Sequence, residues 1–186
     1  MIFKDIQEVD KKLQFEILEW RNHIDIRKNM YTDTLISIET HNKWLNSLRT
    51  DESTKVFVAY RENNPIGIVS LTNINFLHKS TDWAFYLNPT FLQSKGLGVL
   101  LEYSFLNFIF ENFNIEKLNC EVIEINQTVI KLHKKFFFQE EGILRKNIIK
   151  NNKRMDVYLL GILNEEWYKS RDKFKKIVTR LKNEDR

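Results

Sequence analysis

The spacing of apolar positions predicts helices at both ends of the chain and β-strands between them. Leu13, Ile17 and Trp20 recur three or four residues apart, which is typical of the buried face of an α-helix. A second helix is predicted to start at Ser37, which can cap it, and to run through Leu48. From position 56 the pattern changes to short apolar segments between turn residues, so helices precede the main sheet.

Six of these segments are predicted to be strands, because β-branched and aromatic residues are concentrated in them. They cover 56–60, 66–74, 81–87, 118–123, 138–149 and 154–163, with polar turns at 62–65 and 150–153. Helices are predicted from Leu97, from a cap at Asn126 or Thr128, and from Asn164. Strands and helices that alternate in this way imply a partly parallel sheet. The predicted class is α/β, in one domain of residues 1–186.

Two of the later helices carry continuous apolar faces. The helix from Leu97 is predicted to place Glu102 and Asn107 on the side opposite its apolar face. The apolar positions of the last helix are Trp167, Phe174, Val178 and Leu181. That stripe can pack on its own sheet or on another subunit, so a homodimer stays possible.

Composition narrows the function classes. The 29 basic and 25 acidic side chains give a net charge of +4, which is too small and too dispersed for a nucleic-acid-binding protein. The single cysteine, Cys120, excludes an internal disulfide and a cysteine-only zinc site, and its apolar surroundings favour a buried thiol over a catalytic one. No signal peptide or apolar run of membrane-spanning length is present, so a cytoplasmic protein without a membrane partner is expected.

A glycine-containing turn is the strongest chemical motif. Gln93-Ser94-Lys95-Gly96-Leu97-Gly98 follows a strand that ends at Asn88-Pro89 and opens an apolar helix. Backbone N–H groups at such a helix start can bind a phosphate, and Lys95 adds positive charge. The pattern is neither a Walker A loop nor a dinucleotide-binding motif, whose third glycine is here Leu101. On the two glycines of this Gly-x-Gly pattern alone, a tight strand-to-helix connection without a ligand is the simpler interpretation.

The turn resembles the signature of the GNAT acetyltransferases, Gln/Arg-x-x-Gly-x-Gly/Ala, and the resemblance extends over the order of elements and the segment 126–138. It implies a central mixed, mostly antiparallel sheet of six to seven strands with helices on both faces. It also implies acetyl-CoA as cosubstrate, direct transfer without a covalent enzyme intermediate, and no metal. The implied cofactor-binding residues are Phe85, Tyr86, Leu87, Gln93, Ser94, Lys95, Gly96, Leu97, Gly98 and Asn126.

Two positions depart from that family pattern. His133 stands where the family commonly has a tyrosine that protonates the departing thiolate, and a histidine with a pKa near 6.5 is a weaker proton reservoir at neutral pH. A histidine that simply packs beside Ile130 is weighed equally. Phe137 replaces a usual glycine. The resemblance places Glu121 beside the cofactor as a base acting through water, on the face opposite Cys120, with Glu124 as the competing choice.

A narrower resemblance concerns the acceptor. The segments 20–23, 30–31, 39–44, 66–74 and 85–89 are similar to the pseudaminic-acid pathway acetyltransferases of bacterial surface and flagellin glycosylation. Those enzymes acetylate the 4-amino group of UDP-4-amino-4,6-dideoxy-N-acetyl-altrosamine. The resemblance implies that Met30, Tyr31, Trp44 and Glu121 shape the sugar pocket, and that Arg21 and His41 contact the nucleotide. Taken singly, Trp20 and Trp44 also fit a helix core, and Arg21 a helix end.

Three other functions remain open on the sequence. The tail from Asp156 to Trp167 is also similar to protein and peptide N-acetyltransferases of the RimJ/RimL type. A polyamine acetyltransferase is less favoured, because the implied acceptor pocket is rich in aromatic and basic groups rather than in carboxylates that would attract a polycation. A coenzyme-A-binding module without catalysis is the third alternative, given His133 and Phe137.

Overall fold

The computed structural model describes the backbone of residues 1–183 and the side chains of residues 1–181. The strands are β1 Ile2–Asp5, β2 Lys55–Arg61, β3 Asn64–Asn75, β4 Ser80–Leu87, β5 Lys117–Ile123, β6 Gln139–Lys150 and β7 Lys153–Leu163. The helices are α1 Lys11–Asn22, α2 Ile24–Arg27, α3 Ile38–Ser47, α4 Leu97–Asn112, α5 Gln127–Lys135, α6 Asn164–Ser170 and α7 Lys175–Asn183. Short 3-10 turns cover Pro89–Phe91 and Arg171–Phe174.

The strands form one seven-stranded sheet in the order β1-β2-β3-β4-β5-β7-β6. β1 with β2, β2 with β3, β5 with β7 and β6 with β7 pair antiparallel, whereas β4 and β5 pair in parallel. The parallel pair flanks α4, as expected when a helix connects two strands of one sheet. The predicted α/β class with a mixed, mostly antiparallel sheet is confirmed.

The structure differs from the sequence-based prediction at three of its elements. β1 was not predicted, because four residues are too few to show a period; it pairs with β2 from Ile2 opposite Tyr60. Pro65 lies within β3 rather than in a turn, at a register shift between Ala59 and Tyr60 where the ladder is already interrupted. The predicted last helix is divided into α6 and α7 by the 3-10 turn Arg171–Phe174.

The chain forms two compact units, and the first contains Met1–Ile74 and Trp83–Gln93. Its helix α1 begins where Asp10 Oδ1 accepts a hydrogen bond from the N–H of Leu13 at 2.8 Å. The core of this unit lies between α1, α3 and the strands β2 and β3, and consists of Ile6, Ile17, Trp20, Leu45, Val56, Val58 and Ile68. The apolar period recognised in α1 therefore corresponds to its buried face.

The second unit contains Asn75–Asp82 and the chain from Ser94 onward. Its helix α4 is apolar on nearly every side, and Leu101, Phe105 and Ile109 are fully buried. The ring of Phe136 stacks on that of Phe174, with centroids 4.3 Å apart and planes 1° apart. Trp167 packs beside both rings, so the C-terminal segment is part of this core.

A search of the described residues for long apolar helices finds none that could cross a membrane.

Candidate functional site

The start of α4 has the features of an anion site. Gly96 occupies the cap position with φ of +78°, a left-handed conformation that glycine adopts without strain, and no side chain caps this helix end. The first N–H groups of a helix lack intrahelical acceptors, and the helix dipole makes this end positive. Ser94 and Lys95, which precede it in the second unit, are exposed, and Gln93 is an exposed residue of the first unit. These features fit the pyrophosphate of a coenzyme.

The end of β4 is fixed against β3 within the first unit. A Cβ on Gly67 would lie 2.5 Å from the carbonyl oxygen of Tyr86 and 3.1 Å from Cα of Leu87. The N–H of Asn88 donates to Ile66 O at 2.8 Å, and its side-chain amide donates to Pro65 O at 3.3 Å. The close approach needs glycine in a strand, so Gly67 sets the backbone position of the residues predicted to receive pantetheine.

A buried ion-pairing contact joins α4 and α5. Nδ1 of His133 lies 2.8 Å from Oε1 of Glu102, and the two residues are 3% and 0% exposed. The prediction that Glu102 faces away from the apolar side of α4 is wrong, because this carboxylate is the partner of a buried imidazole. Its Oε2 has no hydrogen-bond partner among the described residues.

The two groups change each other's protonation. Burial raises the pKa of Glu102, and the charge of His133 opposes that shift. Burial alone would lower the pKa of His133, but the charge of Glu102 and the hydrogen bonds of Glu102 and Cys120 outweigh it and raise this pKa to about 10. The pair therefore keeps one proton through the neutral range, most simply on an imidazolium whose Nδ1 donates to Glu102.

The carboxylates predicted as bases lie in different settings. Cys120 is buried and Glu121 is exposed on successive residues of β5, so their predicted opposite orientation is confirmed. Glu124 Oε1 accepts a hydrogen bond from the N–H of Asp156 at 3.2 Å. Glu124 thus has a contact with the backbone of β7, and Glu121 lies on an exposed position of β5.

The start of α5 leaves Asn126 with a side chain that makes no cap hydrogen bond, although this residue occupies the N-cap position. At the other end, Phe137 has φ of +69°, so it adopts the conformation that glycine adopts without strain. The N–H of Phe138 donates to His133 O at 3.1 Å and closes the helix. The turn is therefore kept despite the missing glycine.

Two of the predicted acceptor residues are exposed in the first unit, and one is packed. Trp44 and Tyr31 are 37% and 48% exposed. His41 is 6% exposed; its Nε2 lies 2.9 Å from Gln14 O, and its ring centroid is 5.3 Å from that of Trp44. Burial lowers the pKa of His41 and the Gln14 carbonyl opposes that shift, so a neutral imidazole supports the indole.

Side chains from α1 and α2 hold the segment 28–37, which contains Met30 and Tyr31. Nη2 of Arg21 donates to Thr32 O at 3.2 Å, and Nη1 of Arg27 donates to Asp33 O at 2.6 Å. The amide of Asn22 bonds both the carbonyl and the N–H of Ile36 at 2.9 Å. The sequence did not identify Arg27 or Asn22 as anchors of this segment. Their acceptors are backbone carbonyls, and the folded course of the segment decides which carbonyls come within reach.

Arg21 is partly buried and incompletely bonded. Its Nη1 is shielded from solvent and has no acceptor among the described residues. Burial lowers the pKa of Arg21 and the nearby Tyr86 raises it, while burial raises the pKa of Tyr86. An arginine stays protonated in such a setting. Nη1 of the Arg21 guanidinium can therefore donate a hydrogen bond to an acceptor on a ligand.

No set of three or more His, Cys, Asp or Glu residues in the described part of the chain is arranged to hold a metal ion.

Comparison with known proteins finds acetyltransferases, both by domain profile and by sequence similarity. The profile of the acetyltransferase (GNAT) domain matches residues 6–159. Acetyltransferase PseH of Campylobacter jejuni subsp. jejuni (strain 81-176) is 30% identical over 135 residues, which is 73% of this chain and 82% of that protein. Spermidine N(1)-acetyltransferase of Vibrio cholerae serotype O1 is 28% identical over 130 residues, 69% of this chain and 72% of that protein.

A solved structure supports the fold. The spermidine N-acetyltransferase from Vibrio cholerae in complex with CoA and spermine superposes with a TM-score of 0.81. It is 23% identical and the match covers 90% of this chain and 97% of that one. At this identity the likeness concerns the fold.

Proposed function

The chain belongs to the GNAT acetyltransferase family, and from that premise we propose that it acetylates a nucleotide-linked amino sugar. It is an acetyl-CoA-dependent N-acetyltransferase. The proposed acceptor is the 4-amino group of UDP-4-amino-4,6-dideoxy-N-acetyl-altrosamine, in pseudaminic acid biosynthesis. We place this step in the cytoplasm, where it would supply flagellin glycosylation.

Arg21 is the observation that carries the proposal. A shielded guanidinium nitrogen without an acceptor costs about 1 to 3 kcal/mol, and a diphosphate oxygen would remove that cost through a charge-assisted hydrogen bond. UDP brings such oxygens, whereas a polyamine brings positive charge that this arginine would repel. The similarity to PseH over 82% of that protein supports the same acceptor.

Exposed aromatic rings support a sugar acceptor as well. The indole of Trp44 is held by the packed His41, and Tyr31 lies on the segment anchored by Arg21 and Asn22. Hexose rings have apolar faces that stack on aromatic side chains, and rigid rings bind at low entropic cost. We propose that Trp44, Tyr31 and Met30 contact the sugar, with His41 acting through Trp44.

Spermidine is the second candidate acceptor. The spermidine N(1)-acetyltransferase of Vibrio cholerae is nearly as similar in sequence as PseH. A polyamine site would need several carboxylates around the acceptor, whereas the proposed acceptor residues include one carboxylate, Glu121, beside aromatic and basic side chains. A peptide acceptor and a coenzyme-binding module without turnover remain as further outcomes of the test.

Acetyl-CoA supplies the acetyl group as a thioester, and the protein supplies position and protons. We propose that backbone N–H groups at Gly96 to Gly98 bind the pyrophosphate, with Lys95 adding charge, and that the backbone of Phe85, Tyr86 and Leu87 receives the pantetheine arm. Gln93, Ser94, Leu97 and Asn126 complete the proposed cofactor contacts. Glu121 is proposed to accept the proton of the acceptor amine through water.

His133 is proposed to return a proton to the coenzyme thiolate. Nδ1 contacts Glu102, and the second ring nitrogen of the imidazolium, Nε2, is proposed as the atom that transfers its proton to the thiolate. Its pKa of about 10 matches the reference value of tyrosine, the residue that the GNAT resemblance places at this position. The buried carboxylate thus offsets the weakness expected of a histidine acid at neutral pH. This role requires that the bound coenzyme reach a residue that is 3% exposed.

The test measures thiol release from acetyl-CoA with three acceptors, the UDP-4-amino sugar, spermidine and a short peptide. Turnover with the sugar is expected, and turnover with spermidine alone would overturn the proposed acceptor. Binding of coenzyme without any turnover would instead favour the binding module.

Arg21→Ala gives a second measurement on the same enzyme. The variant is expected to raise KM for the sugar by roughly tenfold or more, with KM for acetyl-CoA unchanged, because a charge-assisted bond of about 1.5 to 3 kcal/mol is lost. Arg49→Ala, which removes an exposed arginine of the same unit, is the matched control. An unchanged KM for the sugar in Arg21→Ala would remove the diphosphate contact.

A further inference from the structure

The C-terminal helix lies against the glycine that opens α4. A Cβ built on Gly96 would overlap Cδ2 of Leu181 and lie 2.8 Å from its Cδ1 and 3.2 Å from its Cγ. Those three Leu181 atoms are the nearest to that position. The space that the glycine leaves on this side is therefore filled by the protein itself, whereas a Cβ on Gly98 would meet only Leu132, at 3.5 Å.

Leu181 is held in place by a packed core. Val178 and Leu181 lie three residues apart on α7 and are 4% and 8% exposed. The 3-10 turn before α7 places Phe174 on the ring of Phe136 and beside Trp167. The apolar stripe of the last helix thus packs within its own unit, and Leu181 is anchored rather than carried on a loose tail.

Leu181 lies outside the matched acetyltransferase domain, which ends at residue 159. The domain profile therefore covers Gly96 but not the side chain packed against it. Gly96 has φ of +78°, and the leucine that fills the space beside it limits the conformations open to this flexible residue. The orientation of the N–H groups at the start of α4 depends on that backbone conformation.

We propose that Leu181 is a positioning residue for acetyl-CoA, which holds Gly96 in the conformation that directs the N–H groups of the 94–98 turn toward the pyrophosphate. The inference rests on the proposed role of this turn in coenzyme binding. Its physical basis is preorganisation: a turn already held in its binding conformation loses less entropy when the ligand binds.

The test measures the Kd of CoA by calorimetry on the full chain. Leu181→Ala is expected to weaken binding by about tenfold and to raise KM for acetyl-CoA with kcat nearly unchanged, because orientation of the turn is lost while the acyl end is untouched. Leu181→Met, which refills the space, should restore at least part of the affinity.

Val178→Ala is the matched control, since it removes a buried side chain from the same face of α7 and keeps Leu181. It should lower the urea midpoint of unfolding and leave the Kd of CoA within about twofold of wild type. An unchanged Kd in Leu181→Ala, or an equal loss in Val178→Ala, would overturn the positioning role. If wild type itself does not bind CoA, the proposed function of the turn fails, and the inference fails with it.

Discussion

The Glu102–His133 pair is expected to make the free energy of unfolding of this protein decrease as the pH rises. Replacement of Glu102 by glutamine should abolish that decrease. Glutamine has nearly the shape of glutamate and keeps an oxygen 2.8 Å from Nδ1 of His133, but it removes the negative charge. Both residues are almost fully buried, so little solvent screening weakens the effect. The change therefore isolates the charge of a buried pair.

The sign follows from proton binding. In the folded protein the pKa of His133 is about 10, whereas an imidazole in the unfolded chain releases its proton near 6.5. The native state therefore binds more protons between these pH values, and wild-type stability should fall as pH rises through this window. At ~1.4 kcal/mol for each tenfold difference in proton affinity, the raised pKa of His133 contributes at most ~4 to 5 kcal/mol, fully present below pH ~6.5.

In Glu102→Gln, the charge that offset burial is missing, so His133 should be neutral when folded. We expect this variant to be about 3 kcal/mol less stable than wild type at pH 6 and close to wild type near pH 10. Urea unfolding measured from pH 5.5 to 10 gives both curves.

Glu124→Gln is the matched control, because Glu124 contacts a backbone N–H and not the histidine. Its curve should run parallel to that of wild type over the same pH range. Parallel curves for wild type and Glu102→Gln would refute the proposed protonation of the pair.

Three further predictions concern the site. Gly67→Ala should lower the free energy of unfolding by ~2 kcal/mol and weaken CoA binding in calorimetry, since the new methyl would press on the Tyr86 carbonyl; wild-type values for both would exclude a tight approach here. Glu121→Gln should depress turnover with an altered pH–rate profile, and Glu124→Gln should not; identical profiles would point to a different base or to attack by an already neutral amine. His133→Ala should slow transfer by about a hundredfold with a smaller change in the Kd of CoA, and an unchanged rate would remove it from catalysis.

Local patterns were sufficient for most of the elements and for the turn that opens α4. The period of Leu13, Ile17 and Trp20 predicted α1. The observed two-residue turn at Asn151 and Asn152 lies within the polar turn predicted at 150–153. These features depend on residues close in sequence, whose geometry is set by side-chain period and turn chemistry. The short β1 was missed because its pairing with β2, more than fifty residues away, is what defines it.

Contacts between distant segments could not be predicted in the same way. Glu102 was assigned to the polar side of α4 because helical period alone cannot show that His133, 31 residues later, approaches that side. Gly67 carried a weak signal as a glycine within a β-branched strand, but the partner that requires it is the Tyr86 carbonyl.

The sequence by itself determined the class of fold, the order of elements and the turn that opens α4, since these follow from periodicity and from glycine placed between a strand and a helix. Only the tertiary structure decided which side chains surround His133 and Gly96. It placed a carboxylate beside His133 and a C-terminal leucine against Gly96. The physical reason is that burial and close approach are properties of packed neighbours, and those neighbours lie 31 and 85 residues away along the chain.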